Sequence, residues 1–123
     1  MTRMSILALP LLLAGCITYN IENDGIARAR IDESVRVDGP TVTPLKVVED
    51  SRCPVGMQCA WAGTVRITVR VGQQADPVIL QLGQAAPVAD GQLTLVEVYP
   101  AKRADTVTYP EEYRFGFRFA GGI

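Results

Sequence analysis

Thiols, carboxylates and guanidinium groups are the reactive material of this chain, which has three cysteines, 13 acidic residues and 12 basic ones but no histidine. Without imidazole the commonest general base is missing, and with it the Ser/His and Cys/His nucleophile pairs and most transition-metal sites. Carboxylate chemistry stays open in principle. Glu49-Asp50 and Glu111-Glu112 are adjacent pairs, but neighbours in a strand project to opposite faces, so they read as solvated loop carboxylates. A carboxylate hydrolase would need two of Glu49, Asp50, Glu97, Glu111 and Glu112 to converge in one cleft. Cys53, Met57 and Cys59 are all soft ligands of the kind Cu(I) prefers. A redox pair normally has Cys-x-x-Cys spacing at a helix start, and this spacing is longer. Arg66 and Arg70 share one strand face, and Arg114 and Arg118 share another. Were those strands neighbours, the four guanidinium groups would form a candidate anion-binding face. Like charges set opposite one another are destabilising, so they need separation, acidic partners such as Glu97, or a ligand suited to bidentate capture.

The third cysteine, Cys16, sits in a different setting. Arg3 supplies a positive start, Ile6 to Leu13 an apolar run broken only by Pro10, and Ala14 and Gly15 the small residues a processing peptidase needs. Leu13-Ala14-Gly15-Cys16 resembles the lipobox of bacterial lipoproteins. The resemblance implies diacylglycerol on the Cys16 sulfur, cleavage between Gly15 and Cys16, and acylation of the new amino terminus. Two or three acyl chains anchor stably where one is marginal. A spanning helix needs about 20 apolar residues, and this run stops well short. Ile17, not Asp, follows the cysteine. That resembles the form sorted to the outer membrane, so the expected location is its periplasmic face. Residues 1–15 are then signal, 16–30 a lipidated tether and 31–123 one domain. The net charge of −1 leaves no basic excess for nucleic acid or anionic lipid.

With Cys16 lipidated, Cys53 and Cys59 are the remaining thiols in an oxidising compartment, and an even pair there reads as a disulfide. Pro54 and Gly56 permit the turn it would close. Trp61 lies two residues past Cys59; in extended chain both share a face, so the indole is expected to pack on the bridge as core. Besides this plain staple, the bridge would also suit a rigid recognition loop with Asp50, Arg52, Met57 and Trp61 as its contact residues. Asp50 to Gly63, with its Asp-Ser-Arg-Cys-Pro start, second cysteine and Trp-Ala-Gly ending, is similar to the motif of a family of small bacterial lipoproteins and secreted proteins without an assigned activity. The valine-rich strand after it, Leu95 to Pro100, and the strand at Tyr113 fit as well, so the likeness spans about residues 31 to 119. It implies fold and export, and no chemistry.

The elements that must position these residues are short strands. Val65 to Val71 alternates valine or isoleucine with Arg66, Thr68 and Arg70, and Tyr113 to Phe119 alternates aromatics with arginine or glycine; period two is the mark of a half-buried strand. Val78 to Leu82, Gln92 to Tyr99, Val42 to Val48 and Glu33 to Val37 are further strands. Pro44 demands an edge or a bulge, and the apolar stretch around Val96 and Val98 a bulge or deeper burial. Asp90-Gly91 is a turn signal, and Tyr113 suits a corner where its hydroxyl bonds backbone. The chain before Arg30 is polar and aperiodic, with room for its end to dock as a strand. Strands with one apolar face each must bury those faces together. The expected fold is therefore all-β: a small antiparallel β-sandwich of about six to seven strands, with a compact barrel as the alternative.

These residues describe a non-catalytic envelope module without a cofactor or metal. It is expected to be held to a membrane by its lipid and to meet an envelope protein or glycan through loops or a sheet edge. The alternative is an inhibitor of exported hydrolases, protease or lysozyme, that inserts the Cys53–Cys59 loop.

Overall fold

The computed structural model describes residues 24–121, all-β with no α-helix among them. Eight strands follow in order: β1 Ala27–Ala29, β2 Val35–Arg36, β3 Thr41–Asp50, β4 Val65–Val71, β5 Val78–Gln81, β6 Ala85–Val88, β7 Gly91–Tyr99 and β8 Arg114–Gly121. They form two antiparallel four-stranded sheets, ordered β1-β8-β7-β6 and β2-β3-β4-β5, which are not closed into a barrel. The sheet begins at Ala27, inside the span expected to be tether.

Alternation dictates what the sandwich encloses. Val65, Ile67, Val69 and Val71 of β4 face Phe115, Phe117 and Phe119 of β8 across the core, joined by Leu80, Leu93 and Leu95. Such inward rows bury most of the apolar surface that drives folding. Two bulges then set the phase of β3. The register slips between Pro44 and Lys46 and again between Val47 and Glu49, so Pro44 is tolerated at a bulge in a central strand. A third slip, between Leu95 and Glu97, makes Val96 the bulge residue of β7.

The sandwich has two unlike poles. Short turns join β2 to β3, β4 to β5 and β6 to β7 at one of them, where Ala89, at φ +52°, opens the last turn. The long β3–β4 and β7–β8 connections meet at the other, where the Val55 amide donates to the Lys102 carbonyl at 2.9 Å. β1 runs antiparallel to β8, from Phe117 towards Phe115, so the chain enters from the side of the short turns.

Candidate functional site

The segment from Asp50 to Gly63 forms most of the long-loop pole, and its shape begins with the β3 bulges. In an antiparallel pair, opposite residues share a face. Glu49 pairs with the outward Arg66, while Asp50 pairs with the buried Val65. Asp50 therefore turns inward, and its side chain is only 11% exposed. It is no solvated loop carboxylate. Glu49 stays outside, 3.8 Å from the Arg66 guanidinium.

Two side chains close on the inward carboxylate, and a third on the Asp50 backbone. Arg52 donates from Nε to Asp50 Oδ1 and from Nη2 to Oδ2, both at 2.9 Å, and from Nη1 to the Val98 carbonyl at 3.1 Å. The Tyr113 hydroxyl, arriving from the other sheet, donates to Oδ2 at 2.9 Å. Lys102 Nζ donates to the Asp50 backbone carbonyl at 2.7 Å. Tyr113 is buried, as its place before the last core strand requires, but its hydroxyl meets a side chain and not backbone. Burial by itself would push the Asp50 carboxyl up, and the hydrogen bonds from Arg52 and Tyr113 outweigh it, leaving the group below its ordinary value. Burial, and then the Asp50 carboxylate, push Tyr113 up to about 12. The Asp50 hydrogen bond also raises Arg52, against the effect of burial.

Above this knot the loop narrows to a neck. Ser51 N donates to the Thr64 carbonyl at 2.8 Å, and Thr64 N donates to Ser51 Oγ at 3.0 Å. A Cβ at Gly63 would overlap the Ser51 carbonyl, so only glycine fits there. Beyond the neck, Cys53 and Cys59 are joined as a disulfide, with Cα atoms 5.8 Å apart, a normal span for the bond. Inside the ring, Met57 N donates to the Pro54 carbonyl at 3.1 Å, around Gly56 at φ +83°. Glycine alone takes that angle without strain. With the two sulfurs bonded to each other, neither is available as a thiolate for Cu(I). Among the described residues, no group of three or more acidic, cysteine or histidine side chains is placed to hold a metal.

Trp61 departs from its expected place. The chain bends at Ala60 and Trp61, so the two-residue extended repeat does not hold and the indole is 83% exposed, outside the core. Val55 at 67% and Met57 at 54% are exposed with it. The proposed contact set thus divides: Asp50 and Arg52 are tied inward, and Met57 and Trp61 face solvent.

The four arginines are not brought together. β4 and β8 turn their apolar rows towards each other, so their outward rows must point to opposite sides of the sandwich. Arg66 and Arg70 lie on one side and Arg114 and Arg118 on the other, so there is no common anion-binding face. Arg118 Nη2 donates to the Asp24 carbonyl at 3.2 Å. Glu97 is ion-paired instead with Arg28, which reaches it across Gly116 and also holds Asp24 at 2.7 Å. Of the five carboxylates a hydrolase could draw on, Glu97, Glu111 and Glu112 share one open cleft of about 730 Å³ beside β8, but Glu97 there is held by Arg28, and Glu49 and Asp50 are not among its walls. Glu112 caps its own 3₁₀ turn, Pro110–Glu112, by accepting the Tyr109 amide at 2.8 Å.

Gly15 and Cys16 lie outside the described residues. No protein-family model matches the chain, and no curated protein or solved structure does.

Proposed function

We propose that this chain is a lipid-anchored lipoprotein of the bacterial envelope, a non-catalytic module that binds an envelope protein through the tip of its disulfide loop. One contrast carries the reading. Within the segment, Asp50, Ser51, Arg52, Cys53, Gly56 and Gly63 each do a job internal to the fold. The fold gives the exposed Trp61 no such job.

Tryptophan and methionine are enriched where protein interfaces are buried, and tryptophan is foremost among residues that dominate binding energy. Removing this indole from water would contribute on the order of 3–5 kcal/mol before ordering costs. Those costs are held down because the disulfide, the neck and the Asp50–Arg52 pair fix the loop in advance. Geometry suits a tether as well. The chain enters β1 from the short-turn side, and the residues from Cys16 to Asp24 span at most roughly 25–30 Å. A lipid at Cys16 would therefore favour presenting the loop pole away from the bilayer.

The test is a photo-crosslinking residue at Trp61 or Met57 in intact cells, with Ile79, exposed on edge strand β5 away from the loop, as the control. One partner captured from positions 61 and 57 but not from 79 is the expected result. No capture from the loop, or the same capture from all three, overturns the reading. If the captured partner is a protease or lysozyme, the module is an inhibitor.

A further inference from the structure

We propose that the cleft beside β8 is a second binding site, separate from the loop tip, for a short peptide bearing a free carboxylate and a cationic group. The argument starts from register. β1 pairs with β8 as Arg28 with Gly116 and Ala29 with Phe115, and the same register carried one residue past the end of β1 points Arg30 towards Arg114. On the other side of β8, Tyr99 pairs with Arg114 and Glu97 with Gly116. The outer face therefore carries two rows. In the first, Arg28 and Glu97 meet over the glycine and neutralise each other. In the second, Arg30 and Arg114 line the same cleft with the exposed Tyr99.

Like charges directly opposite across a ladder are destabilising unless something lies between them. Among the described residues no carboxylate is within ion-pair distance of Arg30 or Arg114, yet both line the cleft. A ligand carboxylate held by both would relieve the repulsion, and guanidinium is the group best shaped to hold it.

The facing wall decides what else the ligand carries. Glu111 and Glu112 line it from the 3₁₀ turn, and Glu112 is engaged by the Tyr109 amide. Glu111 is left to face a cation. With three arginines and three glutamates in its walls, the cleft has no net attraction for a polyanion and matches an amphoteric molecule. Its volume of about 730 Å³ is within the range of small-ligand sites and suits a peptide of a few residues. The Tyr99 ring offers it an apolar side.

The site is tested by calorimetry on the full chain in detergent, using N-acetylated peptides, so that the lysine supplies the one cation: alanyl-lysyl-alanine, its C-terminal amide and trialanine, with inorganic phosphate beside them. The free acid should bind saturably, and the amide about tenfold or more weakly, as expected when a charge-assisted hydrogen-bond pair is removed. Arg114→Gln and Arg30→Gln should each bind the acid as weakly as wild type binds the amide, with melting temperatures no lower than wild type. Glu111→Gln should weaken the lysyl peptide and leave trialanine unchanged. Equal affinity for acid and amide on the wild-type chain, no saturation at millimolar acid, or displacement of the peptide by equimolar phosphate would each overturn the proposal. The comparison of acid with amide needs no variant, so a misfolded substitution does not obscure the outcome.

Discussion

Replacing Asp50 by asparagine should unfold the long-loop pole from its centre, and the size of the effect follows from the geometry. The carboxylate accepts two charge-assisted bonds from Arg52 and one from Tyr113, all at 2.9 Å. Pairs exposed on a surface contribute about 0–1 kcal/mol, whereas breaking a fully buried pair costs about 3–5 kcal/mol because the surviving charge has no partner. Asp50 and Arg52 are 11% and 15% exposed, close to the buried limit, and Arg52 would keep the Val98 carbonyl. We expect a loss of about 2–4 kcal/mol, or roughly 10–25 °C in melting temperature for a domain of this size. Thermal and urea unfolding followed by circular dichroism at neutral pH would measure it. A double-mutant cycle with Arg52→Met isolates the pair, because Asp50→Asn should cost far less when Arg52→Met is already present than it does in wild type. The pH dependence is a second check. Asp50 lies below its ordinary 3.8 in the folded chain, so its contribution is complete above that value and fades as pH falls through the lower folded one. The gap between wild type and variant should therefore close in acid. Tyr113 is the opposite case. Its contribution is complete below about pH 10 and is lost as pH rises through about 12. A loss under about 0.5 kcal/mol, typical of ordinary surface substitutions, or a gap independent of pH, would refute the account of the knot.

Two further outcomes concern the cysteines. Replacing Cys53 and Cys59 together by serine should cost about 2–2.5 kcal/mol from the short ring alone and abolish crosslinking from Trp61, while the fold persists because the Ser51–Thr64 neck and the Asp50–Arg52 pair lie outside the ring; urea unfolding and circular dichroism would show it. The protein purified from membranes should have an intact mass beginning at Cys16 with acyl chains added and one pair of hydrogens missing for the bridge; a mass retaining Met1 without lipid would remove the anchor.

What the sequence made legible was whatever a single strand displays by itself. The valine row of β4 and the aromatic row of β8 announce their buried faces through period two, and the apolar surplus at Val96 marks a bulge. β6 was not legible. Ala85-Ala86-Pro87-Val88 has weak strand propensity, its proline reads as a breaker, and only Val88 is buried; pairing with β7 holds it. The site was legible in part. The disulfide followed from the number of thiols and the oxidising compartment that the resemblance to a lipobox implies, but the position of Trp61 depended on the assumption of extended chain, and the bend at Ala60 removed it. The arginines failed for another reason. Which strands are neighbours is a property of sheet order, which period does not encode, so a cleft lined by both Arg30 and Arg114 is hidden as long as Arg30 counts as tether.

The two slips in β3 connect these successes and failures. Strict alternation from the buried Val42 would place Asp50 inward and Val48 inward with it, on the same face as Pro44. Each bulge residue shifts that phase by one, and two shifts restore it. Asp50 thus returns to the inner face while Val48 is left exposed, a pattern that a reader of the sequence takes for the fraying end of a strand. A single bulge would instead have set Glu49 against Tyr113 and turned Asp50 to solvent, with Arg52 following it. The loop would then lose its Arg52 and Tyr113 ties to the opposite sheet and keep only the Val55–Lys102 backbone bond, and its exposed indole would sit on a looser tip. The ties that Asp50 and Arg52 make to the opposite sheet therefore depend on backbone irregularity in β3, before the disulfide begins.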